Sequence, residues 1–437
     1  MSKFSAERIN LKNLQSYHHK YLNNFDEEET LPESIANRPG FCAINPIMFL
    51  SILARKAIFD LSDLDELLIH DKLLLRVPAF RGMLSLVNTI DYPIYFRSFY
   101  SLLLPRNMDK INEAGINKPE LNEIAKKIKD INFEKPFSLQ DLKEAIFFAY
   151  KSDLEIAKIS LIMQKLCDMG ILIRVHAKGW KGNDFSYMLM EKWLENFSLQ
   201  KIDNPEIAKT ETIRKYLKCY GPASINDIVY WTGLSLIDCQ KSLLNLKKET
   251  VRIHIDGYKE NMIGLKESLD IMKKKNSCKE EVCMLPSWDI YTSAWACQKR
   301  LIDNDLLPYA FDDKGNAANV IVHMGKIIGL WQFREQEVGH LEFHIFDKYQ
   351  EYKNSVLYKI HDLSQSLRLV SKLSIVNISE KNLPSQPLNK REEKAFLWPL
   401  GKNTVKSEQE VNLPKIRSSN ILKQPYLDNN YLVTSLK

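Results

Sequence analysis

Apolar residues recur along this chain at two spacings, and the spacings follow one another in a repeated order. From Ile207 to Tyr220 they recur with a helical period that stops at Gly221-Pro222. Ser224-Ile-Asn-Asp227 is an S-x-x-D box, in which hydroxyl and carboxylate each satisfy a free amide at a helix start. The short helix it opens ends at Trp231-Thr-Gly233. Ser235-Leu-Ile-Asp238 then opens a helix carrying Leu236, Leu243 and Leu246. The period next drops to two. Val251-Arg-Ile-His-Ile255 predicts a strand, Asp256-Gly257 a tight turn, and Asn261 to Leu265 the returning strand. Three helices and a hairpin, over residues 206 to 266, is the order of a winged helix.

Residues 119 to 193 repeat the plan. A helix runs from Pro119 to Ile128, Ser138-Leu-Gln-Asp141 caps a second, and Ile156, Ile159, Met163 and Leu166 share one face of a third. Gly170 suits the end of that helix. Ile171 to Val175 predicts a strand, Lys178 to Asn183 a turn, and Phe185 to Met190 the return. This hairpin carries Arg174, His176, Lys178 and Lys181 around Trp180. Basic groups around an aromatic tip suit a phosphate backbone, and they equally suit a solvated turn. A weaker instance precedes it, with a helix from Pro46 to Ile58, a box at Ser62-Asp-Leu-Asp65, and a strand-rich run from Leu73 to Val87 around Arg81-Gly82. After Glu281 the pattern turns to strands: Val282–Leu285, Asn319–His323, Lys326–Phe333, Leu341–Phe346 and Leu373–Ile378, with a helical stretch from Tyr349 to Val370. Beyond Leu383, scattered prolines and charges show no period, which predicts an extended tail.

The predicted fold is therefore α+β and mainly α. Winged-helix-like domains at 1–107, 108–200 and 201–275 precede a small β-rich domain at 276–383 and a tail at 384–437. Composition fits a chain of 437 residues with ordinary globular values, 45% hydrophobic and 27% charged. It excludes collagen, a disulfide miniprotein and a wholly disordered chain. The longest uncharged stretch, Pro39 to Ala54, is shorter than the roughly 18 to 20 apolar residues that cross a bilayer, so no membrane is expected. Met1 is followed by polar sequence without an apolar signal core, so the cytoplasm is expected. The net charge of +6 matters only if it gathers on one face. The seven cysteines form no C-x-x-C and read as reduced thiols. His340 and His344 fall on a predicted strand, about 13 Å apart, too far to share an ion, so no metal and no cofactor are expected.

Five blocks in order give the chain a resemblance to the AlkZ/YcaQ-type winged-helix DNA glycosylases. Gly40-Phe-Cys-Ala-Ile-Asn-Pro46 matches the family's G-L-Q-A-Q-D-P, and Arg81-Gly-Met-Leu-Ser-Leu86 matches R-G-T-L-H-L. Tyr220-Gly-Pro-Ala-Ser224, Asp227 and Trp231-Thr-Gly-Leu234 match Y-G-P-A-T…D…W-x-G-L. Leu285-Pro-Ser-Trp-Asp289 with Arg300 matches L-P-x-x-D…R, and Gly325 to Trp331 matches G-R-V-V-G-T-W. The likeness covers residues 1 to about 380. It implies an enzyme that hydrolyses the N-glycosidic bond of alkylated bases, unhooking crosslinks in some members, without a metal. It also implies that two polar side chains, Q-x-Q or Q-x-D, hold water against C1′ and stabilise the charge building on the sugar.

At those two positions this chain has Cys42 and Ile44. An isoleucine has no hydrogen-bonding group and a thiol is a weak donor, so neither orients water as an amide does. Met83 and Ser85 likewise replace the Thr and His of the second block, while Arg81 and Gly82 remain. Asn45 would supply an amide only through a one-residue slip that displaces Gly40 and Pro46 from their matches. Candidate chemistry thus rests on Cys42, Ile44, Asn45 and Arg81. Candidate DNA contacts are Arg174, Lys178, Trp180 and Lys181. Arg81 could contact phosphate or sit in a buried ion pair. Trp231 and Trp331 read as core aromatics, Asp289 with Arg300 as a structural ion pair, and Lys273-Lys-Lys275 as a solvated linker. The leading expectation is a monomeric protein that binds double-stranded DNA, alkylated or crosslinked, with lost or impaired catalysis. The alternatives are an active monofunctional glycosylase and a transcriptional regulator, the latter without a visible ligand-sensing domain or coiled coil.

Overall fold

The computed structural model describes residues 6–23, 25, 28–56, 61–131, 133–150, 155–177, 182–195, 204–273, 282–334, 339–368, 373–377 and 400–401. The chain gathers into two units. The first comprises Met1–Arg8, Asp26–Asn45 and Asp60–Asp270, and the second Ile9–Phe25, Pro46–Phe59 and Ile271–Lys437.

Strands of the first unit are β1 (Glu7–Ile9, all but its last residue), β2 (Phe41–Cys42), β3 (Leu74–Pro78), β4 (Leu84–Asn88), β5 (Leu172–Ala177), β6 (Phe185–Leu189), β7 (Thr250–Ile255) and β8 (Met262–Leu265). Before β5 come the helices Lys118–Ile131, Leu139–Tyr150 and Ile156–Asp168. Before β7 come Pro205–Tyr220, Ile225–Thr232 and Leu236–Asn245. Both stretches have the predicted order of three helices and a hairpin. The capping boxes work as read. Asp227 donates its amide to the Ser224 hydroxyl at 3.1 Å, and its carboxylate accepts the Ser224 amide at 2.9 Å. Ser138 and Asp141 do the same. Ile128, Leu142, Ile162, Met163 and Leu166 close a core beneath β5 and β6.

The hairpin β5–β6 does not stand alone. It extends a five-stranded sheet of order β2-β4-β3-β5-β6, so residues 41–88 and 172–189 share one sheet. The box at Ser62 behaves differently from its reading. Ser62 lies inside the helix Leu61–Asp65, which passes into a π turn at Glu66–His70, instead of preceding a helix as a cap.

The second unit holds the helix Ile47–Leu53, shorter than the predicted one and buried at all seven positions, so packing and not amphipathic period forms it. Its sheet contains β9 (Val282–Leu285), β10 (Val320–His323), β11 (Lys326–Arg334), β12 (Gly339–Ile345), β13 (Leu373–Asn377) and β14 (Leu400–Gly401). The order is β13-β12-β11-β10-β9, with β14 beside β11. Met324 and Gly325 turn β10 into β11 with φ of 47° and 81°, as a two-residue hairpin turn of the right hand requires. A Cβ on Gly325 would lie 2.5 Å from the carbonyl oxygen of Gln15, so only glycine fits. The predicted late helix is Lys353–Arg368. The fold is α+β, mainly helical, with the strand-rich region last, as the pattern predicts. Among the described residues, no helix is long and apolar enough to cross a membrane.

One ion pair differs from the reading. Asp289, expected beside Arg300, is held by Arg55. Nη2 meets Oδ1 at 2.6 Å and Nη1 meets Oδ2 at 2.7 Å, with both side chains 0% exposed. Arg55 also donates to the carbonyls of Leu22 and Ser51, so its fork is filled. The Arg300 guanidinium lies over the ring of Trp295, 4.6 Å from its centroid.

Candidate functional site

Of the two positions singled out above, Cys42 lies in an edge strand of the five-stranded sheet, Phe41–Cys42, and Ile44 lies in a bend just after it. Gly40 leads into the strand at φ 67°, and a Cβ there would lie 2.5 Å from the ring of Phe80. Phe41 then pairs with Leu86, and Cys42 with Ser85. Cys42 and Ser85 are thus direct cross-strand neighbours, on one face of the sheet. These are positions where the resemblance implies a water-holding amide and a histidine. The pair is buried, with Cys42 only 6% exposed, and the Ser85 hydroxyl donates back to the Met83 carbonyl at 3.2 Å. Ile44 follows, half-buried.

Asn45 is tied to the root of the β5–β6 hairpin. Its amide N–H donates to Oδ1 of Asn183 at 3.0 Å, and Nδ2 of Asn183 donates to the Asn45 carbonyl at 2.9 Å. Its own Nδ2 donates to the Gly182 carbonyl at 3.1 Å. Its side-chain amide, 3% exposed, therefore holds the hairpin root in place.

Arg81 sits at the turn between β3 and β4 with φ 51° and ψ 21°, an uncommon conformation for a residue with a Cβ. Its half-buried guanidinium lies over Tyr230, 4.6 Å from the ring centroid, and Nε has no hydrogen-bond partner. Two neighbours explain the turn. Gly233 ends the helix Ile225–Thr232 at φ 72°, and a Cβ on it would stand 3.2 Å from the Cα of Arg81. Arg106 donates to the Gly82 carbonyl from Nη1 and to the buried Asp168 from Nη2 at 2.6 Å. Three blocks of the resemblance therefore meet around Phe80, whose ring packs 4.2 Å from that of Trp231. Trp231 is a core aromatic, also packed against Tyr216 and Tyr220. Trp331 is fully buried too, its indole N–H on the Leu285 carbonyl.

Of the predicted DNA contacts, Arg174 lies in β5, and Lys178, Trp180 and Lys181 fall outside the described residues. Arg174 is not at an open tip. It is half-buried, with its guanidinium 5.9 Å from the ring centroids of both Phe185 and Tyr187.

The register also exposes a residue that sequence reading passed over. Phe41, Leu86, Arg76, Arg174 and Tyr187 form one row across all five strands. By the strand alternation they lie on the face opposite Cys42 and Ser85. Arg76 is 4% exposed, and its guanidinium is 5.6 Å from the Phe185 centroid. Its Nε and Nη1 have no partner, and among the described residues no carboxylate forms an ion pair with it. Burial pulls its pKa down to about 10, with only the charge of Asp65 acting the other way. A cation–π contact contributes about 0.5–2 kcal/mol, whereas desolvating a charge costs several kcal/mol, so Phe185 does not offset the burial. The signal was present in the sequence: one arginine inside the otherwise apolar run Leu74-Leu-Arg-Val-Pro78.

The chain matches the family model described as DNA glycosylase AlkZ-like over residues 46–357. The matched range starts one residue after Asn45, so Cys42 and Ile44 precede it. No curated protein matches the chain. Among solved structures it is similar to Streptomyces sahachiroi DNA glycosylase AlkZ, with a TM-score of 0.67 over 85% of this chain and 100% of that one, at 14% identity. Likeness at that identity is a likeness of fold.

Proposed function

The chain belongs to the AlkZ-like DNA glycosylase family, and from that premise we propose that it binds duplex DNA while its base-excising chemistry is lost or strongly impaired. The observation carrying this reading is the Cys42–Ser85 pair with Ile44 beside it. Alkylation at a purine ring nitrogen makes the base a cationic leaving group. The protein's part is then to hold a water against C1′ and to stabilise positive charge on the sugar. A thiol, a hydroxyl committed to the backbone and an isoleucine do neither well. Losing one oriented polar contact typically costs on the order of 10²–10³ in rate.

An active enzyme using Asn45 is the second reading. It has the amide in its favour, but the Nδ2 half of that amide is bonded to the Gly182 carbonyl and the side chain is buried. Binding is assigned to Arg174, Lys178, Trp180 and Lys181, in a monomer acting in the cytoplasm. Removing the charges of Lys178 and Lys181 is expected to reduce the salt dependence of DNA affinity by about 2 in the log–log slope.

The test is base release. Protein in excess is incubated with duplex carrying 7-methylguanine, and separately with an interstrand-crosslinked duplex, and abasic sites are then cleaved by alkali. No cleavage is expected from the unaltered chain, and recovery is expected in the double variant Cys42→Gln, Ile44→Gln. Cleavage by the unaltered chain would overturn the reading and direct attention to Asn45 and Arg81.

A further inference from the structure

We propose that Arg76 and Arg174 form a phosphate-binding site on the face of the five-stranded sheet opposite Cys42 and Ser85. The two arginines are cross-strand partners, so their side chains leave the same face side by side. Both guanidinium groups approach one ring, Phe185, at 5.6 and 5.9 Å from its centroid. Two planar forks beside one aromatic wall form a cradle for a tetrahedral oxyanion, which accepts paired N–H bonds. The pair is also incomplete as it stands. Arg76 is nine-tenths buried with Nε and Nη1 unpartnered. Arg174 has the Tyr187 hydroxyl and the buried Cys167 thiol beside it, while the carboxylates act only at a distance, Asp65 toward Arg76 and Asp168 toward Arg174, and Asp168 is already held by Arg106. A bound phosphate would fill the donors that the chain leaves open. At the hairpin root Arg174 and Phe185 are half-buried and Asn183 and Asp184 exposed, so this edge of the pair is the one nearest solvent. Asn183 is also the residue that clasps Asn45, so an occupied site would stiffen the root of the Cys42–Asn45 segment.

The inference rests on the DNA-binding reading only for the source of the phosphate, a DNA backbone or a free ion. The test compares the thermal midpoint of the full chain in chloride, in inorganic phosphate and with a short unmodified duplex, all at equal ionic strength. The unaltered protein is expected to rise by about 5 °C at phosphate one hundred times its Kd. Arg76→Met should lose that rise while starting at an equal or higher midpoint, because it removes an unpaired buried charge. Arg76→Lys keeps the charge without the fork and should bind phosphate about tenfold more weakly. If only the duplex raises the midpoint, and Arg76→Met loses that response, the phosphate is one of the DNA backbone. Should Arg76→Met not fold, Arg174→Gln is read by the same criteria. An equal rise in variant and unaltered protein would overturn the proposal, as would no rise with either probe. Duplex affinity and salt dependence unchanged in Arg76→Met, with no phosphate response in either protein, would overturn this inference and leave the DNA-binding reading standing.

Discussion

Arg55 in the second unit and Arg76 in the first are both buried arginines, and they are satisfied in opposite ways. Arg55 meets Asp289 with a two-pronged ion pair and gives its remaining donors to the carbonyls of Leu22 and Ser51. Arg76 has an aromatic ring and two unfilled nitrogens. A buried charge is tolerable when its own chain completes it, and then it acts as a structural bolt. A buried charge left incomplete beside a second cation is a site held open for something else. Charge and burial are the same in both units, and only the partners tell the roles apart.

The sharpest way to break the comparison is to remove one partner of the closed pair. Asp289→Ala should cost about 3–5 kcal/mol, read from urea unfolding, because it strands the Arg55 charge. A loss below about 1 kcal/mol would mean the pair is no bolt. Next comes Asp168→Ala, which leaves Arg106 without its carboxylate at the β3–β4 turn. About 1–3 kcal/mol is expected in the same measurement, and a neutral result would disconnect Arg106 from that turn.

Gly233→Ala tests the packing under Arg81. A left-handed residue gaining a Cβ beside a backbone atom should lose about 1–2 kcal/mol, and no loss would show that the turn yields. The smallest effect is at Asp303, in the second unit. Burial works to raise its pKa, but hydrogen bonds from Lys326, Lys348 and Tyr349 outweigh that and hold it below the usual carboxylate range. A carboxyl depressed in the folded state stabilises above the unfolded pKa and loses that contribution as pH falls through the folded one. Asp303→Asn should therefore cost about 1 kcal/mol at neutral pH, with the gap to the unaltered protein narrowing below about pH 4. A gap that stays constant down to pH 2 would show that the network is not electrostatic.

Elements whose cause is local were legible in the sequence. The capping boxes at Ser138, Ser224 and Ser235 bond as their spacing says, because a helix start is satisfied by residues three apart. The turn at Met324-Gly325 and the strands around it follow from alternation. Ser62 misled because the box motif marks a cap only where the chain before it leaves the helix, and there the helix already includes Ser62. For the site, the identities of Cys42 and Ile44, two side chains that orient water poorly, were readable letter by letter. Their setting was not.

The sequence by itself determined the order of helices and hairpins, the family likeness, and which side chains, Cys42, Ile44 and Ser85, stand at the positions the likeness singles out. Those depend on neighbours within a few positions or on identity alone. Only the tertiary structure decided that Cys42 faces Ser85, that Asn45 is bonded to the hairpin root, that Asp289 belongs to Arg55, and that Arg76 stands beside Arg174. Each of these joins residues from about 40 to more than 200 positions apart. Strand register and burial set such pairings, and they emerge only when the whole sheet closes.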